Sequence, residues 1–473
     1  MQKTCQFRPR TKIELQRLIP RSGLVFDCLS HSRPLCIPPY FYALKCVCLF
    51  LKQCAEVPLD SAPDTSHFAT MSANQYDVAI VGGGMVGLSL ALALNGAGVA
   101  VSVIEKGNLR EMAAATFDGR GTAIAAGSRR ILEGIGLWAA LADEAEPILE
   151  IRVADGASPL FLHYDHLDVG KGPLGWIVEN AHMRRALSSA AKAAQLMVFE
   201  QTSLVNTSHA SGKASLTLSD GKTVEARLIV AADGRQSSLR DMVGIETVQW
   251  LYPQTGIVCA VEHEVPHQGI AHEHFLKAGP FAILPMTQNR SSIVWTERTD
   301  AAASILKMDD IAFGTALHER FGDFLGDIRV CTHRWSYPLS AVHAKSYVAP
   351  RVALVGDAAH GIHPIAGQGF NLGLRDVAAL AEIIVDQLRL GVDPGDAAAL
   401  NRYENWRKPD NMMMIAATDL LNRLFSNDVA PLRMARDAGL AIVNELGPFK
   451  RLLMRHAMGL VGDLPRLARG EPL

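Results

Sequence analysis

Three glycines with a regular spacing follow a short apolar segment near residue 77. The segment Asp77–Val81 leads into Gly82, Gly84 and Gly87, which form the pattern GxGxxG. In this pattern the first glycine permits a tight turn, the second lets the backbone approach a pyrophosphate, and the third lets a helix pack closely on a strand. Glu105 lies eighteen residues after Gly87, where a carboxylate accepts hydrogen bonds from an adenosine ribose. These residues predict a dinucleotide-binding site.

The elements that must position these residues lie on either side of the glycines. Asp77–Val81 is predicted to be a buried parallel strand, Met85–Asn95 a helix, and Val99–Ile104 a second buried strand. The first turn of the helix directs free N–H groups and a positive dipole end at the phosphates. This order predicts a Rossmann-like α/β domain, but the unit alone does not distinguish FAD from NAD.

Two later motifs bear on the choice of dinucleotide. Asp233-Gly234 ends an apolar strand, although Asp-Gly also occurs in plain turns, and Asp220-Gly221 is predicted to be only the turn of a hairpin. Gly356-Asp357 ends another buried strand and precedes a glycine-rich loop and a helix that starts near Gly369. A carboxylate at a strand end can accept from ribityl hydroxyls, and a helix N-terminus stabilises negative charge on a reduced flavin. The later motifs therefore favour FAD.

In order and spacing, the three motifs resemble the fingerprints of the single-component flavoprotein aromatic hydroxylases. The third motif continues as His363-Pro-x-x-Gly-Gln-Gly-x-Asn-Leu-Gly, and the resemblance spans about residues 75 to 395. Further segments resemble the ubiquinone-biosynthesis hydroxylases, and most of all the branch that acts on 2-polyprenyl-6-methoxyphenol. These segments are Phe117–Arg120, Ile177–Asn180, Ala282–Met286, Tyr337–Leu339, Thr418–Leu421 and Ala430–Leu432.

The resemblance implies a fold and a division into domains. It implies a Rossmann-like FAD-binding domain of the aromatic hydroxylase type, formed by residues 71–245 and 346–395. A substrate-binding β-sheet domain is expected at 246–345, where strand-like patterns occur at 256–261, 281–285 and 291–296. A helical C-terminal region is expected at 396–473.

The resemblance also implies roles for four polar residues. Arg120 matches an arginine beside the cofactor, and the alternative is a surface salt bridge. Asn180 occupies a position that a glutamine near the ribityl chain often fills, so this contact stays open. Asp357 is expected to bind ribityl hydroxyls or phosphate. Asp233 is expected to support the fold around FAD or to contact the NAD(P)H path.

The glycine-rich loop is expected to lie against the isoalloxazine ring. Pro364, Gly369, Phe370 and Asn371 would line the ring, and His363 with Pro364 would form the catalytic part of the site. His360 is expected to pack or cap, and no metal site is predicted. Further candidates for the substrate-ring pocket, each explained about equally well by an ordinary core, are Pro285, Met286, Trp295, Tyr337 and Leu339.

The implied chemistry comes from the cofactor. NAD(P)H would reduce FAD, O₂ would form a flavin C4a-hydroperoxide, and the distal oxygen would pass to the ring of a polyprenylated phenol. The sequence contains no GxSxG or CxxC motif that would suggest a different chemistry. Two alternatives remain open, namely a hydroxylase of a soluble aromatic compound and a non-catalytic flavoprotein scaffold of a ubiquinone-biosynthesis complex.

Composition restricts the class of protein. Among 473 residues 49% are hydrophobic, and the net charge of −2 argues against a nucleic-acid partner. The first 70 residues hold six of the eight cysteines but one of the 39 glycines, and we expect them to be an unstructured extension. Cys259 and Cys331 are predicted to be buried thiols, which is typical of a cytosolic body.

The C-terminal region is rich in methionine. Six of the 15 methionines lie between Met412 and Met458, among mildly basic residues. Two interpretations stay open: a helical cap on the FAD domain, or a surface that receives a polyprenyl chain or lies on an anionic membrane. The expected location is cytoplasmic and peripheral at the inner face of the membrane, with contact to a ubiquinone-biosynthesis complex.

Overall fold

Twenty strands in three sheets form the framework of the part of the chain that the structure describes. The computed structural model describes residues 75–473 apart from positions 115, 157, 159, 160, 211, 428 and 429, so the prediction for residues 1–70 lies outside it. The strands are β1 Gln75–Val81, β2 Val101–Ile104, β3 Gly121–Ala125, β4 Ala145–Ile148, β5 Glu150–Asp155, β6 Phe161–Asp165, β7 Gly175–Glu179, β8 Met197–Phe199, β9 Leu204–Ala210, β10 Lys213–Leu218, β11 Thr223–Ala231, β12 Thr247–His263, β13 Ile270–Leu276, β14 Gly279–Met286, β15 Arg290–Arg298, β16 Ile328–Val330, β17 Trp335–Ala344, β18 Val348–Ala349, β19 Val352–Leu354 and β20 His360–Gly361.

The α-helices follow or connect these strands. They are α1 Met85–Gly96, α2 Leu109–Ala114, α3 Ala126–Gly134, α4 Asn180–Ala193, α5 Ser238–Met242, α6 Thr299–Ile305, α7 Asp310–Phe321, α8 Gly369–Arg389, α9 Ala397–Phe425, α10 Ala430–Glu445, α11 Gly447–Ala457 and α12 Arg466–Arg469. The predicted first helix and the predicted helix start near Gly369 are both confirmed.

An eight-stranded sheet carries the predicted nucleotide unit. Its order is β18-β19-β11-β1-β2-β8, and β10 joins it through β11 with β9 beyond. The pairs β1–β2, β1–β11, β11–β19 and β2–β8 are all parallel. Because the carboxyl ends of parallel strands meet at one edge, Gly82, Glu105, Asp233 and Asp357 are brought to the same edge of the sheet.

A nine-stranded sheet carries the predicted substrate strands. Its order is β20-β17-β12-β15-β14-β13-β5-β6, with β16 on β12. The three strand-like segments predicted for this region lie in β12, β14 and β15. The sheet also takes β5 and β6 from within residues 71–245 and β20 from within 346–395, so it extends beyond the expected 246–345 segment.

The two faces of this sheet have different partners. On the outer face Phe281 and Trp295 pack with Phe313 of α7. On the inner face Phe275 packs with Ile365 of the glycine-rich loop. Trp295 therefore belongs to the core on the outer face, which is the second of the two interpretations left open for it. Side chains alternate along a strand, and a single sequence does not show which set faces the site.

In the C-terminal region, helix α9 packs against the eight-stranded sheet. The hydroxyl of Tyr403 in α9 donates to the carbonyl of Leu354 at 2.7 Å. Among the described helices, none has both the length and the apolar character needed to cross a bilayer. Cys259 is a buried free thiol, as predicted, and burial raises its pKa to about 12. Cys331 is also free but only partly buried.

Candidate active site

The glycine loop leaves no room for side chains at two positions. Gly82 has φ +107°, and a Cβ there would lie 2.3 Å from the carbonyl oxygen of Ala232. A Cβ at Gly87 would lie 1.9 Å from the carbonyl oxygen of Gly82. At Gly84 no atom of the described residues lies within 4 Å of the Cβ position. The loop is therefore closed toward the sheet and open at the N-terminus of α1.

Glu105 fastens two turns of this edge. Its Oε2 accepts the backbone N–H of Gly83 at 2.6 Å, and its Oε1 accepts that of Gly107 at 2.7 Å. The side chain is buried. A carboxylate has about four acceptor sites, so each oxygen keeps a lone pair for a further donor such as a ribose hydroxyl.

A cavity next to the glycine loop is lined by an arginine that the sequence motifs did not reveal. Gly83, Gly84 and Met85 line it together with Arg184 of α4. Arg184 pairs with Asp118 at 3.0 Å, while its buried Nε has no hydrogen-bond partner in the described part of the chain. A helix N-terminus beside an arginine with a free donor is suited to a pyrophosphate. The residues present therefore fit the phosphate end of FAD.

Arg120 is linked to this cavity through Asp118, and Asn180 lies on the same helix as Arg184. Arg120 is about half exposed, pairs with Asp118 at 2.7 Å, and lies over the ring of Tyr337 at 5.1 Å. The Oδ1 of Asn180 accepts the hydroxyl of Thr122 at 2.5 Å. Asp118 therefore bridges Arg120 to Arg184, which lies four residues after Asn180. This one-turn spacing on a helix is the signal that could have revealed Arg184.

The two later motifs meet through an arginine. Arg235 directly follows Asp233-Gly234, donates to Asp357 at 3.3 Å, and is anchored on the carbonyl of Ser340 at 3.0 Å. Asp233 accepts the backbone N–H of Leu239 at 3.2 Å and so helps to hold the start of α5. This contact supports the structural part of the expectation for Asp233, and its relation to NAD(P)H stays a prediction.

A buried ionic network lies behind Asp357. Asp376 of α8 contacts His360 at 2.5 Å, Arg407 of α9 at 2.9 Å, and the backbone N–H of Gly356 at 3.1 Å. Burial acts to raise the pKa of Asp376, but His360 and Arg407 hold it lower, at about 2. The carboxylate therefore ties the loop that carries Asp357 to two helices. His360 is a packed partner in this network, in agreement with the expectation.

His363 is a buried imidazole with one free nitrogen. Its Nδ1 accepts the backbone N–H of Ile365 at 3.4 Å, and the ring of Tyr252 meets it edge-on at 4.9 Å. No described residue hydrogen-bonds to its buried Nε2. Burial lowers the pKa of His363 to about 4, against an opposing effect of Asp419. The ring is therefore neutral at pH 7, and with Nδ1 accepting, Nε2 carries the hydrogen.

The start of α8 is held by Asn371 and open at Gly369. The Nδ2 of Asn371 donates to the carbonyl of Ala123 at 2.9 Å, and its Oδ1 accepts the N–H of Ala125 at 2.9 Å. At Gly369 no described atom lies within 4 Å of the Cβ position. Phe370 packs against the core of the eight-stranded sheet. Pro364 is thus exposed and Gly369 has open space beside it, while the side chain of Asn371 holds β3.

Comparisons with known proteins agree with this geometry. Residues 75–418 match the FAD binding domain family. The chain is 51% identical over 416 residues to ubiquinone hydroxylase UbiL of Rhodospirillum rubrum, covering 87% of this chain and 97% of the relative. It is 34% identical to the 3-demethoxyubiquinol 3-hydroxylase of Escherichia coli, covering 82% of this chain and 100% of the relative. The chain belongs to the FAD-dependent ubiquinone-biosynthesis hydroxylases.

A solved structure supports the fold of this hydroxylase. The p-nitrophenol 4-monooxygenase PnpA of Pseudomonas putida DLL-E4 has a TM-score of 0.69 at 18% identity, covering 82% of this chain and 99% of that chain. The chain has the aromatic hydroxylase fold and is an FAD-dependent monooxygenase of ubiquinone biosynthesis. The named relatives include more than one kind of ubiquinone hydroxylase, so the 2-polyprenyl-6-methoxyphenol branch stays a prediction.

Proposed function

We propose that this hydroxylase uses NAD(P)H and O₂ to hydroxylate the aromatic ring of a polyprenylated phenol between the glycine-rich loop and the inner face of the nine-stranded sheet. The observation that carries this proposal is His363, whose Nε2–H is a buried polar donor with no hydrogen-bond partner among the described residues. When bound, FAD would accept electrons from NAD(P)H and activate O₂.

The residues at the sheet edge would hold the cofactor. Gly84 and Arg184 would meet the pyrophosphate, Glu105 the adenosine ribose, and Asp357 the ribityl chain. Gly82 and Gly87 would act through close packing, since neither position admits a Cβ.

A second group of residues would shape the ring end. Pro364 and Gly369 would border the flavin ring, with Phe370 and Asn371 holding the start of α8. Arg120, Asn180 and Asp233 would support the surrounding turns.

The inner face of the sheet supports a lipid-like rather than an acidic substrate. Ala271, Phe275, Ala282 and Val294 lie on this face by strand alternation and register. Apolar side chains of this kind suit a prenyl-bearing ring, whereas a ring with a carboxylate would need a cation, and Arg290 on this face is already paired with Glu179 at 2.8 Å.

His363 would bind the phenol oxygen of the substrate. A neutral imidazole that donates through Nε2 stabilises a phenol oxygen as negative charge develops on it. Tyr252, packed edge-on against the ring, would fix its orientation. The surrounding apolar side chains would exclude water during the reaction.

Turnover with two candidate substrates and a control without phenol tests the proposal. Holoenzyme would receive NADPH or NADH with 2-prenyl-6-methoxyphenol, with 4-hydroxybenzoate, or with no phenol. We expect NAD(P)H oxidation coupled to a hydroxylated product with the prenylated phenol alone. Turnover of 4-hydroxybenzoate would instead favour the soluble-substrate alternative, and a flavoprotein that hydroxylates no phenol would favour the scaffold alternative.

We also propose that helix α11 brings the enzyme to an anionic membrane surface. Phe449, Leu452 and Leu453 are apolar and exposed, at 46%, 52% and 37% of their full surface. Arg451 and Arg455 are exposed on the same helix. Exposed apolar and basic residues together are typical of helices that lie in a membrane interface.

Vesicle co-sedimentation tests this second proposal. The full chain should sediment with phosphatidylglycerol vesicles and less with phosphatidylcholine vesicles. The double variant Phe449→Ser, Leu452→Ser should lose most of this binding while retaining its FAD. Equal binding of the variant and the wild type would contradict the role of α11.

A further inference from the structure

Glu273 is an acid in β13 that the site described above does not use. Strand register places Ala282 of β14 on one side of it and Val153 of β5 on the other. Both neighbours are apolar. Burial raises the pKa of Glu273 to about 7, with no contribution from a charged or hydrogen-bonding group of the described residues. A carboxyl group with this pKa can exchange a proton near neutral pH.

Strand alternation turns Glu273 toward the glycine-rich loop. Glu273 and Phe275 are two residues apart and therefore share a face of β13. Phe275 is buried in the apolar cluster that contains Ile365 of the loop. The opposite face is the outer one, where Leu276 packs toward α7.

Ala271, two residues before Glu273, belongs to a cluster that reaches the same loop. Ala271 shares the face of Glu273 and belongs to an apolar cluster that includes Ala123. The Cβ of Ala123 lies 3.0 Å from the position of a Cβ on Gly367. The residues on either side of Glu273 on this face, Ala271 and Phe275, thus belong to apolar clusters that reach the loop carrying His363. Glu273 keeps part of its surface accessible, as a side chain that lines an internal space would.

The other ionisable groups considered in this region are ion-paired or have pKa values far from 7. Asp155 of β5 pairs with Arg436 of α10 at 2.8 Å. Burial raises the pKa of Tyr164 in β6 to about 12, and burial keeps His363 neutral. Among these four groups, Glu273 is the one whose pKa lies near 7.

We propose that Glu273 is the catalytic base that accepts the phenol proton of the substrate. The inference rests on the proposed function. The phenol O–H bond breaks, the proton bonds to the carboxylate, and the oxygen's electron pair is delocalised onto the ring carbon, which bonds to one oxygen atom of O₂. The O–O bond would break, NAD(P)H would supply two electrons through FAD, and the second oxygen atom would leave as water. After oxygen transfer, Glu273 returns its proton to the same phenol oxygen. The hydroxylated ring carbon loses its hydrogen as a proton to water, which restores the aromatic ring.

The pH dependence of product formation tests this role. The variants are Glu273→Gln and, as a matched control, Glu319→Gln at an exposed position of α7. Holoenzyme would hydroxylate 2-prenyl-6-methoxyphenol, with kcat/KM measured from acidic to alkaline pH. In the wild type and the control, kcat/KM should rise with pH through about 7. Glu273→Gln should lose this rise and be slower by roughly 100-fold above it, with wild-type FAD content.

Each outcome either supports or overturns the proposed role of Glu273. A wild-type profile in Glu273→Gln would overturn the role of Glu273 and leave the proposed function intact. If that variant lacks FAD, Glu273→Asp replaces it, where a slower reaction with a displaced pH midpoint supports the role and unchanged values overturn it. A wild-type holoenzyme that hydroxylates no phenol would overturn the proposed function and the inference together.

Discussion

The phosphate end and the ring end of the site are built in different ways. At the phosphate end, backbone groups of Gly82–Gly87 and the buried Glu105 set a rigid shape over a short stretch of chain. At the ring end, His363 and Glu273 are ionisable groups held in apolar surroundings by strands and loops that are distant in sequence. The first end therefore depends on close packing, and the second depends on protonation.

The buried network behind the ring end is expected to give the largest effect. Asp376→Asn should lower the free energy of unfolding by about 3–5 kcal/mol, because it leaves His360 and Arg407 without their buried partner. The pKa of Asp376, about 2, lies below its ordinary 3.8. Its stabilising contribution is therefore complete above about pH 4 and is lost as pH falls toward 2.

Urea unfolding near pH 7 and near pH 3 checks this prediction. The exposed Asp143 supplies a control, Asp143→Asn, which should follow the wild type at both pH values. Unchanged stability of Asp376→Asn would show that the network does not hold the ring end.

Close packing at the phosphate end is tested by Gly87→Ala. Its Cβ would meet the carbonyl oxygen of Gly82 at 1.9 Å, so the strand and helix must separate. We expect largely FAD-free protein and a loss of about 3 kcal/mol. Gly96→Ala in the same helix is the control, since no described atom lies within 4 Å of that Cβ. Flavin absorbance per chain distinguishes them, and wild-type FAD content in Gly87→Ala would remove the basis of the comparison.

Asp357 lies between the two ends, and its loss should affect FAD affinity more than folding. Asp357→Ala removes an acceptor for the ribityl chain and leaves Arg235 unpaired. We expect FAD affinity to fall by about tenfold or more, since hydrogen bonds to charged groups contribute about 1.5–3 kcal/mol. Fluorescence titration of the apoprotein with FAD measures this loss. Asp357→Asn, which keeps one acceptor oxygen, should recover part of it.

The smallest predicted effect concerns the pH dependence of stability. Burial lowers the pKa of His363 from 6.5 to about 4, so the unfolded chain binds more protons between these values. Wild-type stability should therefore fall as pH decreases from 6.5 to 4, and His363→Gln should show a smaller fall. Identical slopes for the two proteins would place His363 in a solvated setting.

The same contrast explains what could be predicted from the sequence. The strand, helix and glycines at 77–105 were readable because local spacing determines each role. Arg184 and Arg235 were missed because their importance comes from contacts with residues more than 60 positions away. The choice between pocket and core stayed open for Trp295 because alternation shows two faces without showing which one meets the site. Glu273 gains its setting only when β13 pairs with β14 and β5.

Incorporation of oxygen from O₂ is the most direct test of whether this enzyme hydroxylates the ring of a prenylated phenol. Purified holoenzyme would receive NAD(P)H, isotopically labelled O₂ and 2-prenyl-6-methoxyphenol, and the product would be examined by mass spectrometry. We expect one labelled oxygen atom on the aromatic ring, with product formed in proportion to the NAD(P)H consumed. NAD(P)H oxidation that releases only hydrogen peroxide, or a ring that gains unlabelled oxygen from water, would contradict the proposed hydroxylation.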